Sequence, residues 1–352
     1  MIDIFTSSAP NYLGKVRALF ESVRKHCPEA RLHWLVADDV HDDLRTTLED
    51  EPFDTLIFAT ELDIGRDRRW LFQHSIVELS TAVKPAAALK ILEQPDCDAV
   101  LYLDPDMVLF SPLDDLLEEL QNNSMVLTPH QLHPESDSRA VFHEIDSLRY
   151  GVFNLGFIGV KNCSEGFRFL RWWRDRCQMN CEANWESGVF TDQKWVNFAP
   201  VFFEDVAILR NPRFNVAPWN ISQRKLSGTF DEGFVVDGLP LGFYHFTGFD
   251  SGAHMEHVEN LGGGNHTAKM LVDWYRARTE ALDPSGPPPW LLGLYSDGEP
   301  ILDLHRKAYR GRSDLHAVFP DPFLITEDAL DYRQWFDLNA RHELPDLFKE
   351  TP

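Results

Sequence analysis

Two carboxylates stand two residues apart in Asp104-Pro105-Asp106, directly after the apolar run Ala99-Val100-Leu101-Tyr102-Leu103. On an extended segment, side chains at i and i+2 point to the same side. The residue before a proline is biased to extended geometry, and Pro105 has no N–H to continue a ladder. The spacing therefore aims both carboxylates at one point beyond a strand end. Two convergent carboxylates suit a hard divalent cation such as Mn²⁺ or Mg²⁺, which takes oxygen ligands and commonly shares them with phosphate. Asp and Pro also punctuate ordinary turns. A second apolar run, Met107-Val108-Leu109-Phe110, follows at once. The pair thus sits between two segments that read as buried, where unpaired charge is costly.

Three further stretches carry chemistry-bearing side chains. Asn154 opens the strand-like, glycine-containing run Phe153-Asn154-Leu155-Gly156-Phe157-Ile158-Gly159-Val160. Asp192 and Gln193 put a carboxylate beside an amide. Gly242-Phe243-Tyr244-His245-Phe246-Thr247-Gly248 sets a histidine among aromatics on a short strand. Each has a plainer reading. Asn154 caps a turn, Asp192 starts the helix that holds Trp195, Val196 and Phe198, or His245 is a hydrogen-bonded core histidine.

The elements that position these residues are legible from periodicity. Residues 2–6, 32–37, 55–59 and 99–103 read as strands. Residues 12–26 carry Val16, Leu19, Phe20 and Val23 at amphipathic helical spacing. Residues 70–92 read as helix in two pieces, with Pro85 opening the second. Such alternation predicts an α/β fold, a mostly parallel sheet covered by helices on both faces. Ligands of such sheets bind beyond the carboxyl ends of the strands. Thr6-Ser7-Ser8, Asp38-Asp39 and Asp104-Pro105-Asp106 all fall there. Residues 6–12 contain no glycine, which argues against a dinucleotide fingerprint for NAD or FAD. Further along, residues 125–128 and 155–160 read as strands, and residues 164–179 as a helix. After residue 250 the texture changes. A glycine loop (residues 261–265) precedes a helix over residues 266–277, whose first N–H groups could receive an anion. Residues 285–289 read as a proline-rich linker. An aromatic tail with Trp290, Tyr295, Tyr309, Phe319, Phe323 and Trp335 is expected to pack on the main domain. This gives a catalytic unit over residues 1–250 and a helical, aromatic extension over residues 251–352.

Composition narrows the function. Among 352 residues the formal net charge is −23. That excludes nucleic acid polymer as a partner and disfavours adhesion to anionic lipid. The basic clusters at Arg66, Arg68 and Arg69, at residues 171–176, and at His305, Arg306 and Lys307 with Arg310 and Arg312 read as solvated faces. Five cysteines, with no basic and apolar leader at the start, point to a reducing cytoplasm. Cys177 and Cys181 are spaced for one helix face but lack the second ligand pair of a zinc site. No apolar run has transmembrane length, so contact with a membrane would be weak and peripheral.

In their order and spacing, the four stretches resemble the GT-A glycosyltransferases, most closely glycosyltransferase family eight and related bacterial sugar transferases. The resemblance covers residues 1–250. It implies a GT-A fold and hexosyl transfer from a nucleotide-sugar donor, with uracil as the base and retention at the anomeric carbon. By the same resemblance Asp104, Asp106 and His245 hold Mn²⁺ or Mg²⁺. Thr6, Ser7, Ser8 and Tyr12 hold the nucleoside, and Lys84 and Gly248 contact the donor. Asn154, Asp192 and Gln193 face the donor sugar and the reacting centre, with the Gln193 carbonyl toward the anomeric carbon. Asn215, Trp219 and Asn220 line the acceptor side. The acceptor classes are a growing surface polysaccharide, a lipid-linked sugar or a protein side chain. One departure stands out. The family often follows its His-x-Thr-Gly strand with a lysine for the diphosphate, and here the chain reads Phe249-Asp250-Ser251-Gly252. Neutralisation is then expected from the metal, Lys84, Arg224 or Lys225. The rival readings are a sugar-1-phosphate nucleotidyltransferase, an inert nucleotide-sugar-binding module and a hydrolase. The first usually carries a glycine-rich basic loop that Ser7-Ser8-Ala9-Pro10-Asn11 does not provide.

Overall fold

Seven of the extended runs pair into one sheet. The computed structural model describes residues 1–47, 51–261, 265–283, 286 and 288–349. Its strands are β1 (Ile2–Ser8), β2 (Arg31–Val36), β3 (Thr55–Phe58), β4 (Ala99–Leu103), β5 (Met107–Leu109), β6 (Met125–Pro129), β7 (Phe153–Lys161), β8 (Val206–Ile208), β9 (Leu226–Thr229), β10 (Gly233–Val236), β11 (Leu239–Pro240) and β12 (Phe243–His245). The main sheet has the order β3-β2-β1-β4-β7-β6-β8. Strands β1 to β4 run parallel, and β7 runs antiparallel to both β4 and β6. This is the α/β fold with a mostly parallel sheet that the alternation predicts. Two smaller sheets, β11-β10-β9 and β12-β5, complete it.

Strand alternation divides the interior. On β4, Val100 and Tyr102 face one core, while Leu101 and Leu103 face the other. A parallel strand covered on both faces is apolar throughout for this reason. Val16, Leu19, Phe20 and Val23 of the helix Leu13–His26 are fully buried against the second core, as their spacing predicts. Residues 68–92 form three helices instead of two: Arg68–Phe72, Ile76–Ala82 and Lys84–Leu92. The additional break is a capping box. The Ser75 hydroxyl accepts from the Glu78 N–H at 3.3 Å, and the Glu78 carboxylate accepts from the Ser75 N–H at 2.9 Å. Pro85 lies in the first turn of Lys84–Leu92.

The aromatic tail joins the first core. Phe72 makes ring contacts with Tyr295, Tyr309, Phe323 and Tyr332 at centroid distances of 5.0–6.2 Å. Polar anchors fix the same segment and correct two expectations. Asp38, expected among the polar groups of a ligand site, is fully buried under the tail. Its carboxylate accepts from the N–H groups of Leu291 and Leu292, each at 2.9 Å, and meets His41 at 2.6 Å. Burial raises the affinity of this carboxyl for its proton, against those hydrogen bonds. Arg306 is buried too, donating to the carbonyls of Phe72 (3.0 Å) and Leu292 (2.7 Å). Arg310 pairs with Glu78 at 2.7 Å. These guanidiniums are docking pins, not a solvated face, because the tail that carries them turns them onto Phe72 and Glu78.

The helix His266–Leu282 runs five residues further than its spacing suggests. Its first turn is satisfied internally, since the Asn265 side chain accepts from the Ala268 N–H at 3.0 Å. Residues 262–264 of the glycine loop and residues 284, 285 and 287 of the proline-rich stretch lie outside the described residues. Among the described residues, no helix is long and apolar enough to cross a membrane. Cys177 and Cys181 are buried free thiols.

Candidate functional site

Beyond β4 the chain turns. The Met107 N–H donates to the Asp104 carbonyl at 3.0 Å, closing Asp104-Pro105-Asp106-Met107 with proline in the position turns favour. The two carboxylates therefore converge through a turn and not through strand alternation. Flanking segments clamp it. The Asp104 N–H donates to the Gly156 carbonyl at 2.7 Å, and the Asp106 carbonyl accepts from the Phe246 N–H at 2.8 Å. The turn leads into β5, which pairs with β12 so that Met107 lies opposite His245. That pairing delivers the imidazole. His245 Nε2 lies 3.1 Å from Asp106 Oδ1 and 3.6 Å from Asp104 Oδ2. Gly156 on β7 makes room for it: a Cβ there would stand 2.6 Å from both His245 Cε1 and Met107 Cε.

Asn215 orients the histidine from behind. Its amide N–H₂ donates to Thr128 Oγ1 at 2.9 Å and to Asn154 Oδ1 at 3.0 Å. Its Oδ1 is then left to accept from His245 Nδ1 at 3.3 Å. Nε2 consequently faces the carboxylates. Burial lowers the proton affinity of His245, but Asp106 and Asp104 outweigh it and hold the imidazole above its usual range. Burial likewise raises Asp106, and His245 outweighs it. Two carboxylates and an imidazole, with ligand atoms all within 4.8 Å of one another, form a donor set that fits Mn²⁺ or Mg²⁺. The other ring nitrogen, Nδ1, is held by Asn215, the kind of oriented outer partner that metal-ligating histidines usually have.

Lys84 closes the inner end. Its buried ammonium lies 3.4 Å from Asp104 Oδ1, 3.3 Å from Asp192 Oδ2 and 3.3 Å from the Leu155 carbonyl. It also sits 4.1 Å above the Tyr102 ring, whose hydroxyl donates to Asp104. Burial opposes the charge of Lys84, but the two carboxylates outweigh it and keep the ammonium protonated. Asp192 is 1% exposed, and burial raises its carboxyl against the pull of Lys84. The preceding Thr191 has φ +46°, a left-handed conformation that a β-branched residue rarely adopts. Such strain gathers where a side chain must be aimed.

These residues surround a cavity of about 490 Å³. Of the residues expected in the site, Ser7, Ser8, Tyr12, Lys84, Asp104, Asp106, Asn154, Asp192, Gln193, Trp219 and His245 line it. Thr6 does not, because it is still inside β1, paired with Trp34 and fully buried. Gly248 does not. Its φ of +71° makes the turn into the helix Ala253–Asn260, and its carbonyl accepts from the His254 N–H. Asn215 and Asn220 were expected beside Trp219 on the acceptor side. Both are 0% exposed behind the wall, where Asn220 accepts from the Ala217 N–H and donates to the Asn215 carbonyl. Gln193 spends both ends of its amide on backbone: Oε1 accepts from the Leu155 N–H at 2.9 Å, and Nε2 donates to the Tyr150 carbonyl at 3.1 Å. Arg224 is buried and donates to the carbonyls of Pro212 and Phe214, and Lys225 is exposed; neither lines the cavity.

Among the lining residues that the sequence did not mark, Tyr102 and His130 stand nearest the chemistry. Tyr102 stands two before Asp104 on β4, and that spacing could have marked it. His130 meets Asn154 Nδ2 at 3.3 Å and packs edge-on to Trp219. Burial pushes its pKa down to about 4, so it is neutral near pH 7.

No family model matches the chain. The chain is 27% identical over 243 residues to the uncharacterized protein YfnD of Bacillus subtilis (strain 168), covering 68% of this chain and 75% of that protein. It is 29% identical over 175 residues to the uncharacterized protein YfnF of the same organism, covering 49% of this chain and 57% of that one. Among solved structures, it is similar to the galactosyltransferase LgtC in complex with donor and acceptor sugar analogs, at a TM-score of 0.46 and 19% identity, covering 82% of this chain and 98% of that one. It is also similar to the glycosyltransferase GlyE of Streptococcus pneumoniae TIGR4, at a TM-score of 0.41 and 15% identity, covering 84% and 67%.

Proposed function

We propose that the protein is a metal-dependent glycosyltransferase of the GT-A type, moving a hexosyl group from a nucleoside diphosphate donor, UDP-linked, to a hydroxyl acceptor with retention. One observation carries the reading: Asp104, Asp106 and His245 converge in a cavity that Asn154, Asp192 and Gln193 also line. A metal trio beside a buried carboxylate and amides is what a departing diphosphate and a developing positive anomeric carbon need.

Asp104, Asp106 and His245 would hold a divalent ion, which would supply Lewis acidity toward the leaving diphosphate. Lys84 keeps a positive charge at the inner end and holds Asp104 and Asp192 in place. Asp192 offers its carboxylate to the positive character of the sugar. Asn154, fixed by Asn215 and the Gly156 N–H, orients the sugar over the acceptor. Gln193 is a positioning residue here, since both ends of its amide already hold backbone beside Asn154. An amide so engaged is a poor nucleophile, which favours attack by the acceptor on the face the diphosphate leaves. Trp219 and the neutral His130 form the acceptor wall.

Calorimetric titration of UDP, GDP and dTDP, with and without Mn²⁺, tests this. One nucleotide binds only with the metal, and Asp106→Ala abolishes that binding while the folded far-ultraviolet signal persists. Failure of every nucleoside diphosphate to bind the folded, metal-supplied protein would remove the transferase reading. Binding without transfer of any donor sugar would reduce it to an inert binding module.

A further inference from the structure

The charges around the cavity do not balance for its proposed donor. Asp104, Asp106 and Asp192 line it, and among the described lining residues Lys84 is the one ammonium or guanidinium. That ammonium is already shared between Asp104 and Asp192. A divalent ion at the trio offsets the remaining negative charge and no more. A nucleoside diphosphate brings further negative charge, and desolvated anions need a charged hydrogen-bond donor. Arg224 and Lys225 are turned elsewhere.

Another cation stands beside the cavity-lining residue Tyr12. Lys15, on the first turn of the helix Leu13–His26, places Nζ 3.9 Å from the ring centroid of the lining residue Tyr12 and 5.9 Å from that of Phe249. Its partner is Asp250 Oδ2, at 2.5 Å, and the Tyr12 hydroxyl lies 3.4 Å from the same oxygen. The two partners differ in exposure: Lys15 is 11% exposed and Asp250 61%. The ammonium is seated on the protein, whereas the carboxylate reaches it from solvent. Pairs with a solvated partner are weak and readily exchanged.

We propose that Lys15 is a diphosphate-binding residue, held by Asp250 in the free protein and handed to the donor's phosphates on binding. The inference rests on the nucleotide-sugar reading above and adds to it a residue and an exchange. Asp250 is the gate of that exchange: it competes with the phosphates for Lys15 and repels them.

The test is calorimetry with uridine 5′-diphosphate and uridine 5′-monophosphate, both with Mn²⁺, on the unaltered protein, Lys15→Ala and Asp250→Asn. Lys15→Ala is expected to weaken the diphosphate about tenfold or more and the monophosphate about threefold or less, since a charged contact to the outer phosphate is lost. Asp250→Asn is expected to tighten the diphosphate by roughly threefold, an effect that salt diminishes. Equal diphosphate affinity in Lys15→Ala and the unaltered protein overturns the assignment. An equal loss for both nucleotides also overturns it, by moving Lys15 to the nucleoside. No diphosphate binding to the unaltered protein instead removes the underlying transferase reading. Should Lys15→Ala lose its cooperative melt, Lys15→Met keeps the stem on Tyr12 and reads the same quantity.

Discussion

Asn215 is the residue on which His245 leans, although Asn215 does not itself line the cavity. It sits at φ +52°, a left-handed conformation that suits Asn and Gly. Asn215→Gly therefore deletes the amide without adding backbone strain. Mn²⁺ affinity by calorimetry is expected to fall about 10- to 100-fold, as loss of an outer-shell partner does. Stability is expected to fall about 1–3 kcal/mol, because Thr128 and Asn154 lose a partner. Unaltered Mn²⁺ affinity would show that packing alone orients His245. Asp104, Asp106 and His245 were legible because acidic pairs and histidines are rare between buried runs. The location of Asn215 was not, since polarity alone does not say which side of a wall a side chain occupies. Lys15 was hidden for a similar reason: a lysine among the polar positions of an amphipathic helix looks like any solvated one.

Strands and helices announced themselves by period, and the site inherits its precision from them. β4 ends where Pro105 removes a donor, β7 supplies the small Gly156, and the β5–β12 pair carries His245 to the turn. The tail is the element whose seating no period reveals. A carboxylate after a strand looks alike whether it faces a ligand or a neighbouring segment, and Asp38 faces the N–H groups of Leu291 and Leu292. Asp38→Ala orphans both donors, at a cost on the order of 1–3 kcal/mol for each. The expected result is faster limited proteolysis of the segment after Trp290. Digestion at the rate of the unaltered protein would mean that the aromatic contacts of Phe72 hold the tail unaided.

At the scale of the whole molecule, four buried histidines contribute to the response to acid. His74, His130, His143 and His254 are each pushed down to about 4, first by burial. In the unfolded chain the same imidazoles titrate near about 6.5. Between these limits the unfolded state binds more protons, so their contribution is complete above about pH 6.5 and is lost as pH falls toward about 4. Each group can remove up to about 1.4 kcal/mol per pH unit in that window. The urea midpoint is therefore expected to drop markedly from about pH 7 to about pH 5, and an equal midpoint at both would contradict the neutral state assigned to them. The facing of Met107 and His245 has a consequence in time as well. On the ribosome, Asp104 and Asp106 emerge long before β12 has been made. Two carboxylates in an unclamped turn hold a cation poorly, and the imidazole and the Phe246 clamp arrive together with that late strand. On the metal-dependent reading proposed above, a nascent chain would stay blind to metal until the ribbon zips shut, and loading the ion would become one of the last acts of its biogenesis.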